Sequence, residues 1–208
     1  MNSARTFGAR IFSRAGSPEG SREGLAWDAL RIAAANLLLI FCAQIAVPLP
    51  FTPVPVTGQT LGVMLIAVFF GARRGAIAAA LYLFEGAAGL PVFQPYGAPG
   101  AARLLGPTAG YLWAYPAAVY ITGWLAERIP SFDPAAGAKT HWRRLAALTV
   151  ALVPGQLLIF ACGCAWLASA RGWTAAITLG ALPFLPGEVI KIAAVLAVTR
   201  GTETATRS

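Results

Sequence analysis

The sequence predicts an all-α integral membrane protein, a bundle of six transmembrane helices with both termini in the cytoplasm. Hydrophobic residues make up 57% of the 208 positions and charged residues only 12%, whereas a soluble domain has roughly 25% charged residues. Several windows of about 16 to 26 residues contain almost no charge, and about 20 helical residues are enough to cross a hydrocarbon core about 30 Å thick. The basic residues, in addition, concentrate in alternate connections between these windows.

The six predicted spans follow one another closely, so that no separate soluble domain fits between them. They cover residues 29–47, 57–72, 75–90, 110–126, 145–170 and a final span within 174–199. Pro183 and Pro186 interrupt the final span, because proline removes a backbone donor that lipid cannot replace. Residues 174–183 therefore form either a separate short helix or a re-entrant segment, and five or seven crossings stay open beside six.

The distribution of arginine and lysine sets the expected orientation. Most of them lie in the N-terminal tail, in the second-to-third and fourth-to-fifth connections and after the last span, while the opposite connections hold only Arg103 and Arg171. The positive-inside rule therefore places both termini in the cytoplasm. We expect a basic tail over residues 1–28, which lacks the apolar core of a cleaved signal peptide, a membrane domain over 29–199 and a second cytoplasmic tail over 200–208.

Several function classes are disfavoured by what the sequence lacks. The basic residues flank apolar spans and form no single stripe, which argues against a nucleic-acid partner. Cys42, Cys162 and Cys164 lie within apolar windows, as expected of buried thiols, and their pattern does not match a zinc site. There is no phosphate-binding GxxxxGK[ST] loop and no catalytic Ser/His or Cys/His constellation. We therefore expect no enzyme, no metal and no cofactor, and any ATP used must be hydrolysed by another polypeptide.

Two opposite charges lie inside the last span. Glu188 and Lys191 are three positions apart and share one helical face, where they can pair directly. An isolated charge near the bilayer centre costs at least about 2.5–3.5 kcal/mol on insertion scales, so such residues normally face a bundle interior or a wet cavity. One interpretation is a neutralised pair that only helps the helix to pack. The other is a ligand site, which the preceding Leu-Pro-Gly break favours, since broken membrane helices commonly mark substrate sites.

Other polar residues fall near the non-cytoplasmic side. Glu85, in LYLFEGAAGLPVF, either belongs to the same site or stays hydrated at the membrane interface. The connection from Pro91 to Pro107 carries Gln94 and Tyr96 at its start, and a loop longer than a hairpin needs commonly serves as a lid. The proline-rich connection VPLPFTPVPVTGQT predicts a stiff cap on the same side.

Four stretches of the sequence together carry a resemblance to a known family. They are PFTPVPVTGQTLGV, GARRGAIAAALYLFEGAAGLPVF, LLGPTAGYL and PFLPGEVIK. In this order they resemble the BioY family, the biotin-capturing membrane subunits of energy-coupling factor (ECF) transporters. The resemblance implies a six-helix, multi-pass protein of the inner (cytoplasmic) membrane that binds biotin from outside and cooperates with a membrane coupling subunit and two ATPases.

The resemblance also implies which residues contact biotin. Glu188 and Lys191 belong to the biotin site by this analogy, where the family more usually has aspartate at the first position. We expect the ureido ring near Glu188 and Gln94, with Lys191 contacting either the ring carbonyl or the carboxylate. Tyr82 and Tyr111 are candidates for the wall and for a hydroxyl contact, or else they pack between helices or at the membrane interface.

The partner surface and an alternative function complete the hypothesis. Ala29 and Ala33 have the small-xxx-small spacing that permits close helix approach, and capture subunits resemble one another in using such alanines against the coupling subunit. We expect biotin, membrane lipid, a coupling transmembrane subunit and ATPase subunits in trans as partners, or else uptake by this protein alone. The alternative is a proton-coupled carrier of a small carboxylate-bearing vitamin, with Glu188 or Glu85 as the coupling group.

Overall fold

The computed structural model of the protein describes residues 22–130, Asp133 and residues 137–205. The helices and strands in chain order are α1 (Arg22–Gln44), β1 (Ala46–Val47), β2 (Val56–Thr57), α2 (Gln59–Ala87), a 3₁₀ helix (Gly100–Leu105), α3 (Ala109–Ala126), α4 (Ala138–Gly180), a second 3₁₀ helix (Leu182–Phe184) and α5 (Leu185–Ala205). The mainly helical architecture is therefore confirmed. β1 and β2 add a small antiparallel ribbon in the proline-rich connection.

Two helix ends differ from the predicted domain limits. Helix α1 begins at Arg22, inside the stretch predicted as a tail, and the earlier part of that tail, residues 1–21, lies outside the described residues. Helix α5 continues to Ala205, beyond the predicted end of the last span. Both extensions are polar continuations of an apolar helix, which hydropathy does not reveal but helix propagation favours.

Helix α2 consists of two helices that fold back on each other at Gly71. This glycine has φ 81° and ψ 179°, a conformation that is essentially restricted to glycine. The side-chain amide of Gln59 donates a hydrogen bond of 2.7 Å to the Tyr82 hydroxyl across 23 positions of sequence, so the two halves run antiparallel. The halves, residues 59–70 and 72–87, correspond to the second and third predicted spans.

The carboxylate of Glu127, which follows the last residue of α3, fixes this turn. Its Oε1 accepts a hydrogen bond of 2.7 Å from the backbone N–H of Ala72, at a helix start where N–H groups have no intrahelical partner. A Cβ placed on Gly71 would lie 2.5 Å from the same oxygen. The turn therefore requires glycine both for its backbone conformation and for space.

Helix α4 also reverses direction, at Gly172, where φ is 78° and ψ is 161°. The Cys164 thiol donates to the Ala176 carbonyl oxygen at 3.5 Å, so residues 173–180 lie back against the helix that precedes them. The break in the chain thus falls at a glycine that the sequence analysis did not single out. A glycine reverses a helix more sharply than a proline does, because it alone adopts this backbone conformation without strain.

The open question about residues 174–183 is answered by this reversal. The segment is a short helix that leads into the second 3₁₀ helix, and α5 then starts at Leu185. Pro186 lies in the first turn of α5, where a missing N–H has no intrahelical bond to lose. The prolines therefore mark the start of α5 and do not interrupt it.

The helices pack around a main apolar core and a smaller cluster of Met64, Leu152 and Val195, and they present a further apolar surface outward. Side chains from four helices meet in the core, namely Leu39, Ile66, Val119 and Ile159. Large apolar side chains are also widely exposed, among them Leu37, Phe41, Phe84, Val150 and Ile190. Within the described residues, three helical stretches are long and apolar enough to cross a membrane: Glu23–Gln44, Gln59–Ala87 and Ala138–Glu203. An apolar exterior of this kind is that of an integral membrane protein.

Replacing Gly71 by alanine is expected to lower thermal stability, because a side chain enters a conformation reserved for glycine and meets the Glu127 carboxylate. The strain alone is on the order of 1–3 kcal/mol. Thermal unfolding of the detergent-solubilised protein measures the loss. Gly201→Ala is the matched control, because a Cβ there meets no described atom within 4 Å and alanine favours the helix. Equal melting temperatures for the two variants would contradict the assigned turn.

Candidate functional site

A cluster of three polar side chains lies where α2 and α5 begin. Glu188 is in the first turn of α5, Lys191 follows one turn later, and Thr60 is in the first turn of α2. The Thr60 hydroxyl donates to Glu188 Oε1 at 2.8 Å. The Lys191 ammonium lies 2.7 Å from that same oxygen and 2.7 Å from the Thr60 hydroxyl oxygen. The direct pairing that the three-residue spacing predicts is therefore present.

The second carboxylate oxygen of Glu188, Oε2, differs from Oε1 in its hydrogen bonding. Oε2 is buried and has no hydrogen-bond partner among the described residues. A buried acceptor without a donor costs about 1–3 kcal/mol, and more when the group is charged. Because Thr60 and Lys191 hold Oε1, the side chain cannot turn its free oxygen to them without losing those bonds. The cluster thus contains one buried hydrogen-bond acceptor that no described group satisfies.

This cluster forms the polar part of a cavity between the helices and the two long connections. The space inside it that is open to the centre of a water-sized sphere has a volume of about 50 Å³. Its apolar wall consists of Val54, Pro55, Phe93, Leu112, Ile159, Phe160 and Phe184. Its polar lining consists of Thr57, Gln59, Thr60, Gln94, Arg103, Thr108, Tyr111, Tyr115, Glu188 and Lys191.

Four of the residues predicted as substrate contacts line this cavity: Glu188, Lys191, Gln94 and Tyr111. The Tyr111 hydroxyl donates a hydrogen bond of 2.8 Å to the Gly180 carbonyl oxygen, so it anchors the end of the short helix while its ring faces the cavity. The Gln94 amide bonds to its own loop: Nε2 donates to the Tyr96 carbonyl oxygen at 2.5 Å, and Oε1 accepts from the Tyr96 N–H at 2.8 Å. Gln94 therefore shapes the loop that forms the cavity wall.

The other two predicted contacts lie outside the cavity lining. Tyr82 is fully buried behind it, where its hydroxyl accepts the hydrogen bond from Gln59 and its ring meets the edge of Phe93 at 5.3 Å between centroids. Glu85 accepts a hydrogen bond of 3.0 Å from the Asn36 side-chain amide, which joins α2 to α1. Tyr82 thus supports two cavity residues, and Glu85 has a helix-packing role in this structure.

Arg103 is a cavity residue that the sequence analysis used only to assign orientation. Although it lies in a loop, it is only 6% exposed. Its Nε donates to the Ala98 carbonyl oxygen at 2.9 Å, Nη2 donates to the Gln94 carbonyl oxygen at 3.1 Å, and Nη1 donates to the Tyr96 carbonyl oxygen. Burial lowers the pKa of the guanidinium, because desolvation disfavours its charged form, and nearby Tyr82 opposes the shift. The sequence signal that could have identified Arg103 as a cavity residue is its position as a lone arginine within a glycine- and proline-rich loop.

Thr60 was also missed, because a single threonine at a helix start normally caps its own helix. The predicted partner-surface residues, Ala29 and Ala33, are both exposed on α1. Among the described residues, no group of three or more His, Cys, Asp or Glu side chains is arranged to hold a metal ion.

The fold and the site together define a class of protein. A helical membrane bundle holds a partly apolar cavity whose lining includes the Glu188–Lys191 ion pair and the buried Arg103 of the outer loop. This is an integral membrane protein whose cavity lining suits a small molecule that has polar and apolar parts. The sequence model of the BioY family matches residues 16–208. The chain belongs to the BioY family, and the predicted resemblance is confirmed.

Individual relatives agree with this assignment. A Rhizobium etli protein named biotin transporter BioY is 38% identical over 147 residues, covering 70% of this chain and 75% of the relative. A Pyrococcus horikoshii protein named probable biotin transporter BioY is 34% identical over 151 residues, covering 73% and 80%. A crystal structure of the S-component for biotin from an ECF-type ABC transporter matches with a TM-score of 0.71 and 23% identity, covering 88% of this chain and 94% of that chain. That likeness establishes the fold.

Replacing Lys191 by methionine is expected to destabilise the protein by about 3–5 kcal/mol, because the Glu188 carboxylate then stays buried without its cation. Adding Glu188→Gln to the same chain removes the uncompensated charge and should restore most of the loss. Thermal unfolding of the two variants in detergent compares them directly. A double variant no more stable than Lys191→Met alone would contradict the energetic coupling of the pair.

Proposed function

We propose that this chain is the biotin-binding membrane subunit of a biotin uptake system. The observation that carries the proposal is the buried, unpartnered Oε2 of Glu188 beside the Lys191 ammonium, within an otherwise largely apolar cavity. The family and the named relatives, which are transporters and not enzymes, support the same function. Biotin is a transported ligand in this proposal, and no cofactor is required.

The chemistry of biotin fits the two ends of the cavity. Its ureido ring has two N–H donors and a carbonyl, and one N–H can fill the free acceptor position at Glu188. An ammonium group has three donors, of which Lys191 uses two for Glu188 and Thr60, so the third is free for the ureido carbonyl. The apolar ring and chain contact the aromatic wall. The carboxylate then lies toward Arg103, the cation of the outer loop.

Glutamate at position 188 suits this arrangement even though the resemblance leads us to expect aspartate. The additional methylene moves the carboxylate farther from the backbone and gives the side chain one more rotatable bond. Thr60 and Lys191 both bind Oε1, which fixes the longer side chain in one orientation. The proposed contact therefore uses Oε2, whose position these two bonds define.

The proposed topology has six crossings. They are α1, the two halves of α2, α3, the long first part of α4 and α5, while residues 173–180 form a short helix on the non-cytoplasmic side. The basic residues of the connections support cytoplasmic termini, and an inner (cytoplasmic) membrane location follows from uptake across that membrane. Membrane lipid surrounds the exposed apolar side chains described above.

The proposed partners are a coupling transmembrane subunit and ATPase subunits in trans. The chain has no phosphate-binding loop of its own, and the exposed Ala29 and Ala33 on α1 permit close approach of a partner helix. Uptake by this protein alone remains the variant of the proposal that needs no partner. The proton-coupled carrier is the less favoured alternative, because Glu85 is bonded to Asn36 and Glu188 to Lys191.

Calorimetric titration with biotin tests the site. Glu188→Gln should weaken biotin binding about 10–100-fold, since a hydrogen bond to a charged group is worth about 1.5–3 kcal/mol. Glu85→Gln is the matched control, because the same chemical change falls outside the cavity and should leave affinity within about threefold. Absence of biotin binding by the folded parent protein would overturn the proposed function. Equal weakening by both variants would remove Glu188 from the site.

Transport measurements separate the two proposed functions. In proteoliposomes that contain this chain alone, a proton gradient is expected to drive no accumulation of labelled biotin. The physical reason is that both carboxylates already accept a hydrogen bond from a neighbouring side chain, Glu85 from Asn36 and Glu188 from Lys191. Protonophore-sensitive accumulation that Glu188→Gln or Glu85→Gln abolishes would instead establish the carrier. Proteoliposomes without protein serve as the control for leakage.

A further inference from the structure

A second cavity lies directly outside the first. It has a volume of about 230 Å³, and the two long connections line it. Four residues line both cavities, namely Pro55, Gln94, Arg103 and Thr108. The two spaces are therefore adjacent and share one wall, which consists of loop residues.

The start of α5 determines which part of a ligand meets this wall. The Thr52 hydroxyl, in the proline-rich connection, donates to the Leu179 carbonyl oxygen at 2.7 Å, so the chain just before α5 lies on the loop side. A helix rises about 1.5 Å per residue, which places Glu188 about one turn, and Lys191 about two turns, farther in than Leu185. A ureido ring bound beside Glu188 and Lys191 leaves the carboxyl end of biotin at the wall that the two cavities share.

The donors of Arg103 do not require a carboxylate. Each of its three nitrogens already donates to a neutral carbonyl oxygen, of Ala98, Tyr96 or Gln94. A guanidinium has five N–H donors, so two remain after these three bonds. They can bind an amide carbonyl as well as a carboxylate, and neutral amide oxygens are the partners that this guanidinium already has.

We propose that the protein also captures biotin amides, in which the carboxyl carbon of biotin is linked to an amine such as the side chain of lysine. The amide carbonyl lies at Arg103, and the amine-derived part occupies the outer cavity. This inference rests on the proposed function, because it requires the ureido ring at Glu188. It extends the substrate class from the free vitamin to its carboxyl-linked conjugates.

Two tryptophan variants in the same loop test the proposal. Ala101 and Ala102 are both exposed, but only Ala102 lines the outer cavity. Ala102→Trp should fill the outer cavity, and Ala101→Trp is the control for adding the same side chain one position away. Calorimetric titration of the full chain in detergent uses two probes, free biotin and biotin amide-linked to the side chain of lysine.

The parent protein and Ala101→Trp should bind the conjugate within about tenfold of free biotin. Ala102→Trp should lower the affinity for the conjugate by at least about tenfold, because the new side chain clashes with it, and should change the affinity for biotin less than about threefold. A parent protein that binds biotin but binds the conjugate more than about 100-fold more weakly overturns this inference and leaves the proposed function intact. An equal loss of affinity for both probes in Ala102→Trp also overturns this inference. Absence of biotin binding by the parent protein overturns the proposed function itself.

Discussion

An isolated charge in a membrane helix costs at least about 2.5–3.5 kcal/mol on insertion scales, and Glu188 and Lys191 offset that cost by pairing at 2.7 Å. Thr60 supplies a donor to the same oxygen that Lys191 binds. The result is an ion pair in which Oε1 has two partners and Oε2 has none among the described residues, so the pairing leaves one acceptor for the proposed ligand.

The two glycine reversals bring these groups together. The turn at Gly71 folds the second half of α2 back along the first, so that Tyr82 reaches Gln59 at the start of α2. The turn at Gly172 folds residues 173–180 back against α4, where Tyr111 holds the Gly180 carbonyl before α5 begins. Both starts, of α2 and of α5, therefore point into one cavity, and broken membrane helices of this kind commonly form substrate sites.

The sequence predicts the helices and the ion pair because both depend on local spacing. Hydropathy gives the spans, and three positions of separation give the contact between Glu188 and Lys191. The sequence does not predict that Arg103 is buried, because its burial depends on three carbonyl oxygens that only the folded loop brings together. Tyr82 and Glu85 were natural candidates as polar groups in apolar helices, yet which face of a helix meets the cavity is decided by packing between helices.

The loop that carries Arg103 is fixed to the bundle as well as to itself. The Trp113 indole donates to the Leu104 carbonyl oxygen and the Trp166 indole to the Gly106 carbonyl oxygen, each at 3.0 Å. These bonds come from α3 and α4, so two helices hold the backbone that directly follows Arg103. A guanidinium that is anchored in this way keeps its remaining donors in one place. The wall between the two cavities is therefore set by the bundle, and the ion pair and the arginine act as two fixed points at different depths of one site.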